Sequence, residues 1–203
     1  MAYLQALSGI ARSGVTYASW THPAFVVTVG GTTRSIVMDG WAITDQLSAP
    51  SVCTFTLDNV AQTVVNGTEY QGTQIYDFPQ CRLSVLGVTA TLQQKTTSAI
   101  ASTLNSGVTG AISLGTATAS NVSLTGTMVD LLPSTAFTSS TTINVAGTAV
   151  SAALAAAAQF DGTATAKDMF LNTAYATTTD VDADATQTIS GTIVVTWVNL
   201  GDY

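Results

Sequence analysis

Charge is what this sequence has least of. Asp, Glu, Lys and Arg make up 8% of its 203 residues, against roughly 25% in an ordinary soluble domain. One His, one Glu, two Lys and three Arg leave few side chains for general acid–base catalysis. The net charge is −7, and the basic residues Arg12, Arg34, Arg82, Lys95 and Lys167 stand apart from one another. Nucleic-acid binders cluster Lys and Arg on one face, so no nucleic acid is expected as a partner. Long apolar runs are also missing. The longest low-polarity stretch, residues 152–158, falls far short of the ~20 residues that span a bilayer, and no membrane partner is expected. Met1-Ala2-Tyr3-Leu4-Gln5 places no basic segment before an apolar one, as a secretory signal would. Synthesis and retention in a cytoplasm are the expectation. Cysteine is limited to Cys53 and Cys81, both in strand-like runs. Two buried thiols acting as small hydrophobes is the plainer reading, since a disulfide would be unusual in a reducing compartment.

Threonine takes the place of charge, at 36 of 203 positions. Thr, Ala, Ser and Gly lose little side-chain entropy when held still, whereas Lys, Arg and Glu lose much. A surface of small side chains therefore suits close, repeated packing against fixed neighbours. With 46% hydrophobic residues and positive mean hydropathy, the chain is not intrinsically disordered.

Residues 24–58 read as a β-meander. The apolar run 24–29 is separated from the strand-like run 32–38 by Gly30-Gly31, and Asp39-Gly40 precedes the run 41–44; such dipeptides suit hairpin turns that need positive φ. Val52-Cys53-Thr54-Phe55-Thr56-Leu57 alternates with period two, as a half-buried strand does. Asn66-Gly67 predicts a hairpin between 60–65 and 68–70, and strands follow at 81–86 and 88–92. Residues 93–106 shift to Gln, Thr, Ser and Ala and read as a linker or extended arm. In the second half, residues 124–129, 145–150 and 189–194 share a weak repeat of apolar, small, Gly, Thr, apolar, Val. Ser151 and the following alanines predict one short helix over 151–160, ended by Asp161-Gly162. Strands are expected at 169–175 and 188–198. The fold class expected is mainly β, with two β-sandwich or jelly-roll-like modules at 1–92 and 107–203.

Few constellations suggest chemistry. Asp180, Asp182 and Asp184 have the spacing of the first half of a calcium loop. Ala185 stands where the turn glycine should be and Gly191 where the bidentate Glu should be, so a solvated acidic loop is the plainer reading and a weak cation site the sharper one. His22, between Trp20 and Pro23, has no recognisable nucleophile or orienting carboxylate. There is no G-x-S-x-G, no H-E-x-x-H and no phosphate loop; neither a catalytic site nor a cofactor is expected. Trp20, Trp41 and Trp197 could line a sugar-binding face, but each lies in or beside a strand-like run and is read first as core. Asn66-Gly67-Thr68 and Asn121-Val122-Ser123 match the glycosylation sequon.

Two segments carry a resemblance. Asp168-Met169-Phe170-Leu171-Asn172-Thr173-Ala174-Tyr175, followed by Ile189-Ser190-Gly191-Thr192-Ile193-Val194-Val195-Thr196-Trp197-Val198-Asn199-Leu200-Gly201-Asp202, is similar to the ending of small tailed-bacteriophage virion proteins of the capsid decoration (cement) or head-associated type. Gly40-Trp41-Ala42-Ile43-Thr44-Asp45-Gln46-Leu47 with Cys53-Thr54-Phe55-Thr56-Leu57 resembles the opening β-module of phage tail and baseplate proteins. Both resemblances imply a non-enzymatic virion structural protein; they differ on head against tail. The head reading implies the major capsid protein as partner, and a homo-oligomer, with closed trimeric symmetry expected at a lattice position. A carbohydrate-binding module, resting on the three tryptophans, is the alternative from another class.

Overall fold

The alternation of hydroxyl-bearing with apolar side chains produces long strands. A computed structural model describes residues 50–97, 104, 107–139, 146–147, 149–176 and 181–201, with the backbone of 25–29 and 32–36. The strands are β1 (Phe25–Val29), β2 (Thr32–Ile36), β3 (Ser51–Val64), β4 (Tyr70–Asp77), β5 (Arg82–Thr96), β6 (Thr109–Gly115), β7 (Leu132–Thr138), β8 (Val150–Ala153), β9 (Ala158–Asp161), β10 (Asp168–Tyr175) and β11 (Ala185–Gly201). β1 and β2 pair antiparallel across Gly30-Gly31, as the sequence predicts. The remaining strands form two antiparallel sheets, ordered β4-β10-β6-β7 and β3-β11-β5-β8, with β9 also on β5.

The sheets pack face to face. Phe55, Leu57, Leu83, Val85, Ile189, Ile193 and Val195 of one meet Ile75, Ile112, Leu114, Leu132, Met169 and Leu171 of the other. This is a mainly β sandwich with little helix. β11 runs through the centre of its sheet for 17 residues, between β3 and β5.

Several expectations are corrected. The sheets interleave the two halves of the chain: β11 from the C-terminal half pairs with β3 and β5, and β4 pairs with β10. Among the described strands, residues 1–92 and 107–203 thus do not form separate sandwiches, because each sheet takes strands from both. Gln93, Gln94, Lys95 and Thr96, expected in a linker, complete β5 and pair with β11. The expected helix over 151–160 is two strands: β8 pairs with Thr89–Leu92 and β9 with Arg82–Val85. A short isolated helix is marginal even when alanine-rich, and β5 offers an edge on which Val150, Ala152, Leu154 and Phe160 pack against the core. A 3-10 turn lies instead at Gly126–Met128. Segments 81–86 and 88–92 form one strand, with Leu86 bulged where Thr196 faces Gly87 and Trp197 faces Val85. The three repeats do not share a structure either, since 124–129 is this helical loop and 189–194 is central strand.

Asn66-Gly67 does turn the chain, with Thr68 N–H donating to Val65 O at 2.8 Å. Beyond the single bridge of Val65 with Thr68, however, β3 and β4 enter different sheets. Gly67 has φ +84 while Asn66 lies at negative φ, the pattern of a type II turn rather than a type I′ hairpin.

Candidate functional site

The outward face of the five-stranded sheet is where the threonines collect. In β3, Cys53, Phe55 and Leu57 are buried while Thr54 and Thr56 face away. β11 turns Thr192, Val194 and Thr196 to the same side, and β5 turns Thr89, Thr91, Gln93 and Lys95. Strand register aligns these residues in rows. Thr56 faces Thr192, Thr192 faces Thr91, and Thr91 faces Ser151, so four hydroxyls cross four strands. Thr91 and Ser151 hydroxyls bond at 3.1 Å. The next row runs Thr54, Val194, Thr89 and Ala153. Among the described residues, charge reaches the outward positions of this sheet at Asp58 and Lys95, and at Arg82 and Asp161 where β5 pairs with β9. β-branched residues favour strands because they fit a pleated surface, which gives a face of methyls and short hydroxyls.

One irregularity shapes this face. Ile189 pairs with Val60 but Gly191 with Leu57, so β3 bulges at Asp58 and Asn59. Asn59 takes φ 52, and its N–H donates to Ser190 Oγ at 3.0 Å. Opposite, Gly191 has φ +143, and a Cβ there would stand 2.1 Å from Thr91 O. Only glycine fits.

The other sheet is covered on its outer side. Residues 116–131, joining β6 to β7, fold over it and pack Ala119, Leu124 and Met128 onto Ala174. Asn172, fully buried, pins this loop: its Oδ1 accepts Ala119 N–H at 2.8 Å, and its Nδ2 donates to Ala117 O and Met128 O, each at 3.0 Å. The Asp130 carboxylate closes the loop by accepting from Thr116 N–H at 2.8 Å and Thr116 Oγ1 at 2.6 Å. Burial pushes the Asp130 carboxyl above its ordinary range, against the pull of these Thr116 bonds.

The candidates from sequence fall in different places. Asp184 Oδ1 accepts Asn66 N–H at 2.8 Å and Asp182 O accepts Asn66 Nδ2 at 3.0 Å, so both hold the 66–67 turn. Asp180, His22, Trp20 and Trp41 lie outside the described residues. Trp197 is buried, with its ring edge-on to Phe78 at 5.8 Å. Cys53 and Cys81 are buried and not joined in a disulfide, and burial pushes the Cys53 thiol up. Asn121 is exposed and its Oδ1 accepts Ser123 N–H at 2.9 Å. Among the described residues, no group of three or more His, Cys, Asp and Glu could hold a metal ion.

A shallow cleft of about 260 Å³ is lined by Arg82, Leu83, Gln159, Phe160, Asp161 and Leu200. Arg82 and Asp161 approach to 3.9 Å at its rim, both well exposed. The Thr163 hydroxyl and N–H, more than Arg82, hold the Asp161 carboxyl below its ordinary range.

Sequence reasoning missed a buried polar tie between the sheets. Gln187 Nε2 donates to Thr173 Oγ1 at 2.9 Å, and Tyr175 OH donates to Gln187 Oε1 at 2.6 Å. Gln62 Nε2 donates to Leu171 O at 2.9 Å, while its Oε1 accepts from Thr173 Oγ1 at 2.7 Å. The available signal was period two itself: Gln62 continues the inward series of Val60 and Val64, and Gln187 that of Ala185 and Ile189.

No protein-family model matches this chain, and no curated protein matches it. Among solved structures, it is similar to the infectious bursal disease virus VP2 subviral particle, at 13% identity and a TM-score of 0.38, over 90% of this chain and 39% of that one. It is also similar to a chain of the cyanophage Pam1 capsid asymmetric unit, at 13% identity and a TM-score of 0.35, over 90% of this chain and 98% of that one. The chain thus spans about two fifths of the bursal disease virus chain's length.

Proposed function

We propose that this chain is a non-enzymatic structural protein of a tailed-phage virion, made in the host cytoplasm, that decorates or cements the head by binding the major capsid protein. It acts as a homo-oligomer, with a trimer expected at a symmetric lattice position. The observation that carries this reading is the outward face of β3, β11, β5 and β8, with its rows of Thr, Ser, Val and Ala. Such side chains cost little entropy to immobilise, and their methyls contribute apolar burial at about 25 cal/mol per Å². A face with so little charge has few ion pairs to form, and exposed pairs are worth only ~0–1 kcal/mol each. Attachment therefore rests on apolar burial and hydrogen bonding, including strand addition at a sheet edge.

The test is retention on purified particles. The protein is expected to stay bound as ionic strength rises to about 1 M, where the Debye length is ~3 Å, with or without a chelator. Release by salt alone would sink apolar attachment, and release by chelator alone would assign Asp182 and Asp184, with Asp180, a cation. Imaging of the same particles by cryo-electron microscopy locates the chain; density on the tail would replace the head reading, and absence from particles would overturn the function.

A further inference from the structure

We propose that Asn66 is a site of self-modification, closing to a succinimide on Gly67 and reopening to aspartate and isoaspartate, with the Glu69 carboxylate as the base. Asn66 and Gly67 are exposed at the turn leading from β3 to β4. Nothing lies within 4 Å of the position a Cβ would take on Gly67, so the turn has open space on that side. That nitrogen donates to Glu69 Oε1 at 3.1 Å. Glu69 is the chain's one glutamate and is 2% exposed, so its carboxylate is held in place rather than swinging in solvent. Asn66 is fixed as well, through its N–H on Asp184 and its Nδ2 on Asp182 O.

The nucleophile and electrophile belong to adjacent residues, so closing a five-membered ring needs no encounter, only rotation about the Asn66 ψ out of the type II turn. Gly67 N attacks Asn66 Cγ as its proton passes to the Glu69 carboxylate. The Cγ–Nδ2 bond breaks, and Nδ2 leaves as ammonia with the proton returned from Glu69. Water then opens the ring at either carbonyl; nothing is oxidised or reduced. The product places a new carboxylate beside Asp182 and Asp184, and the isoaspartate form adds a methylene to the main chain of the turn. Both changes loosen the contacts that hold it.

The experiment is peptide mapping by mass spectrometry after incubation at mildly alkaline pH. It compares the folded wild type, the wild type in urea, and Glu69→Gln, which keeps an oxygen for the Gly67 N–H but lacks the basicity. Amide-to-acid conversion at Asn66 is expected to run faster in the folded protein than in urea. Glu69→Gln should slow it about a hundredfold, the low end of what a positioned base contributes. Conversion in urea but not in the folded protein would overturn the proposal, as would an unchanged rate in Glu69→Gln shown to be folded by its urea midpoint. If that variant does not fold, the folded-against-urea comparison of the wild type decides.

Discussion

Gln62, Thr173 and Gln187 occupy inward positions where a sandwich core would ordinarily take valine or leucine, and each is 2% exposed or less. They are tolerated because they satisfy one another. A buried donor or acceptor left without a partner costs about 1–3 kcal/mol, more than a typical hydrogen bond contributes net. Gln187 is the hub: its Oε1 accepts from Tyr175 OH and, at 3.3 Å, from Gln94 Nε2, while its Nε2 donates to Thr173 Oγ1 and, at 3.3 Å, to Gln62 Oε1. Gln187→Leu conserves bulk but strands the buried Tyr175 hydroxyl and weakens the tie to Gln62. Urea titration is expected to show a loss of about 1–3 kcal/mol, the cost of one stranded buried group. A gain in stability would mean that the network is tolerated rather than stabilising, as buried ion pairs sometimes are.

The first element-scale consequence concerns β4 and β10, whose register sets Asp77 directly opposite Asp168. Burial, then the Asp77 charge, then a hydrogen bond with its side chain hold the Asp168 carboxyl above its ordinary value of 3.8. A carboxyl raised in the folded state binds its proton more readily when folded. Its stabilising contribution is therefore fully present below the unfolded value and is lost as pH rises through the folded one. Going from neutral pH down towards the ordinary value of 3.8, wild type should gain stability relative to Asp168→Asn. At neutral pH the variant should equal or exceed wild type by less than about 1 kcal/mol, since like charges directly opposite destabilise only modestly and Asp168 is largely solvated. Urea midpoints of both proteins across that range check the sign; parallel curves would rule out the Asp77–Asp168 coupling.

At the scale of the whole molecule, the chain changes sheet between β3 and β4, β4 and β5, β5 and β6, β7 and β8, β9 and β10, and β10 and β11. Each sheet thus borrows strands from both halves, and the sandwich has one shared core cluster. Residues 1–92 and 107–203, expressed separately, should each lack a cooperative thermal transition, and mixing them should restore one only by complementation. A cooperative transition in either fragment alone would show that its strands close a core unaided.

Local alternation was enough to place most strands. Period two in 52–57 marks Cys53, Phe55 and Leu57 as inward and Thr54 and Thr56 as outward, as observed. β10 and β11 also fall close to the segments 169–175 and 188–198. The scarcity of charge likewise foretells a face with little of it, because composition needs no partner to be read. What only the tertiary structure decided was partnership. Nothing in 151–160 says that β5 offers an edge, so alanine propensity pointed to a helix where β8 and β9 form. Nothing near 182–184 says that Asn66 lies beside it. The alignment of Thr56, Thr192, Thr91 and Ser151 into one row needs registers across four strands. The inward glutamines follow the alternation but break its polarity, and Leu171, Thr173 and Tyr175 of the opposite sheet supply the shortest bonds that satisfy them. Side-chain direction is set by neighbours one and two residues away, whereas pairing and register are set by contacts far apart in the chain, so the first is written locally and the second is not.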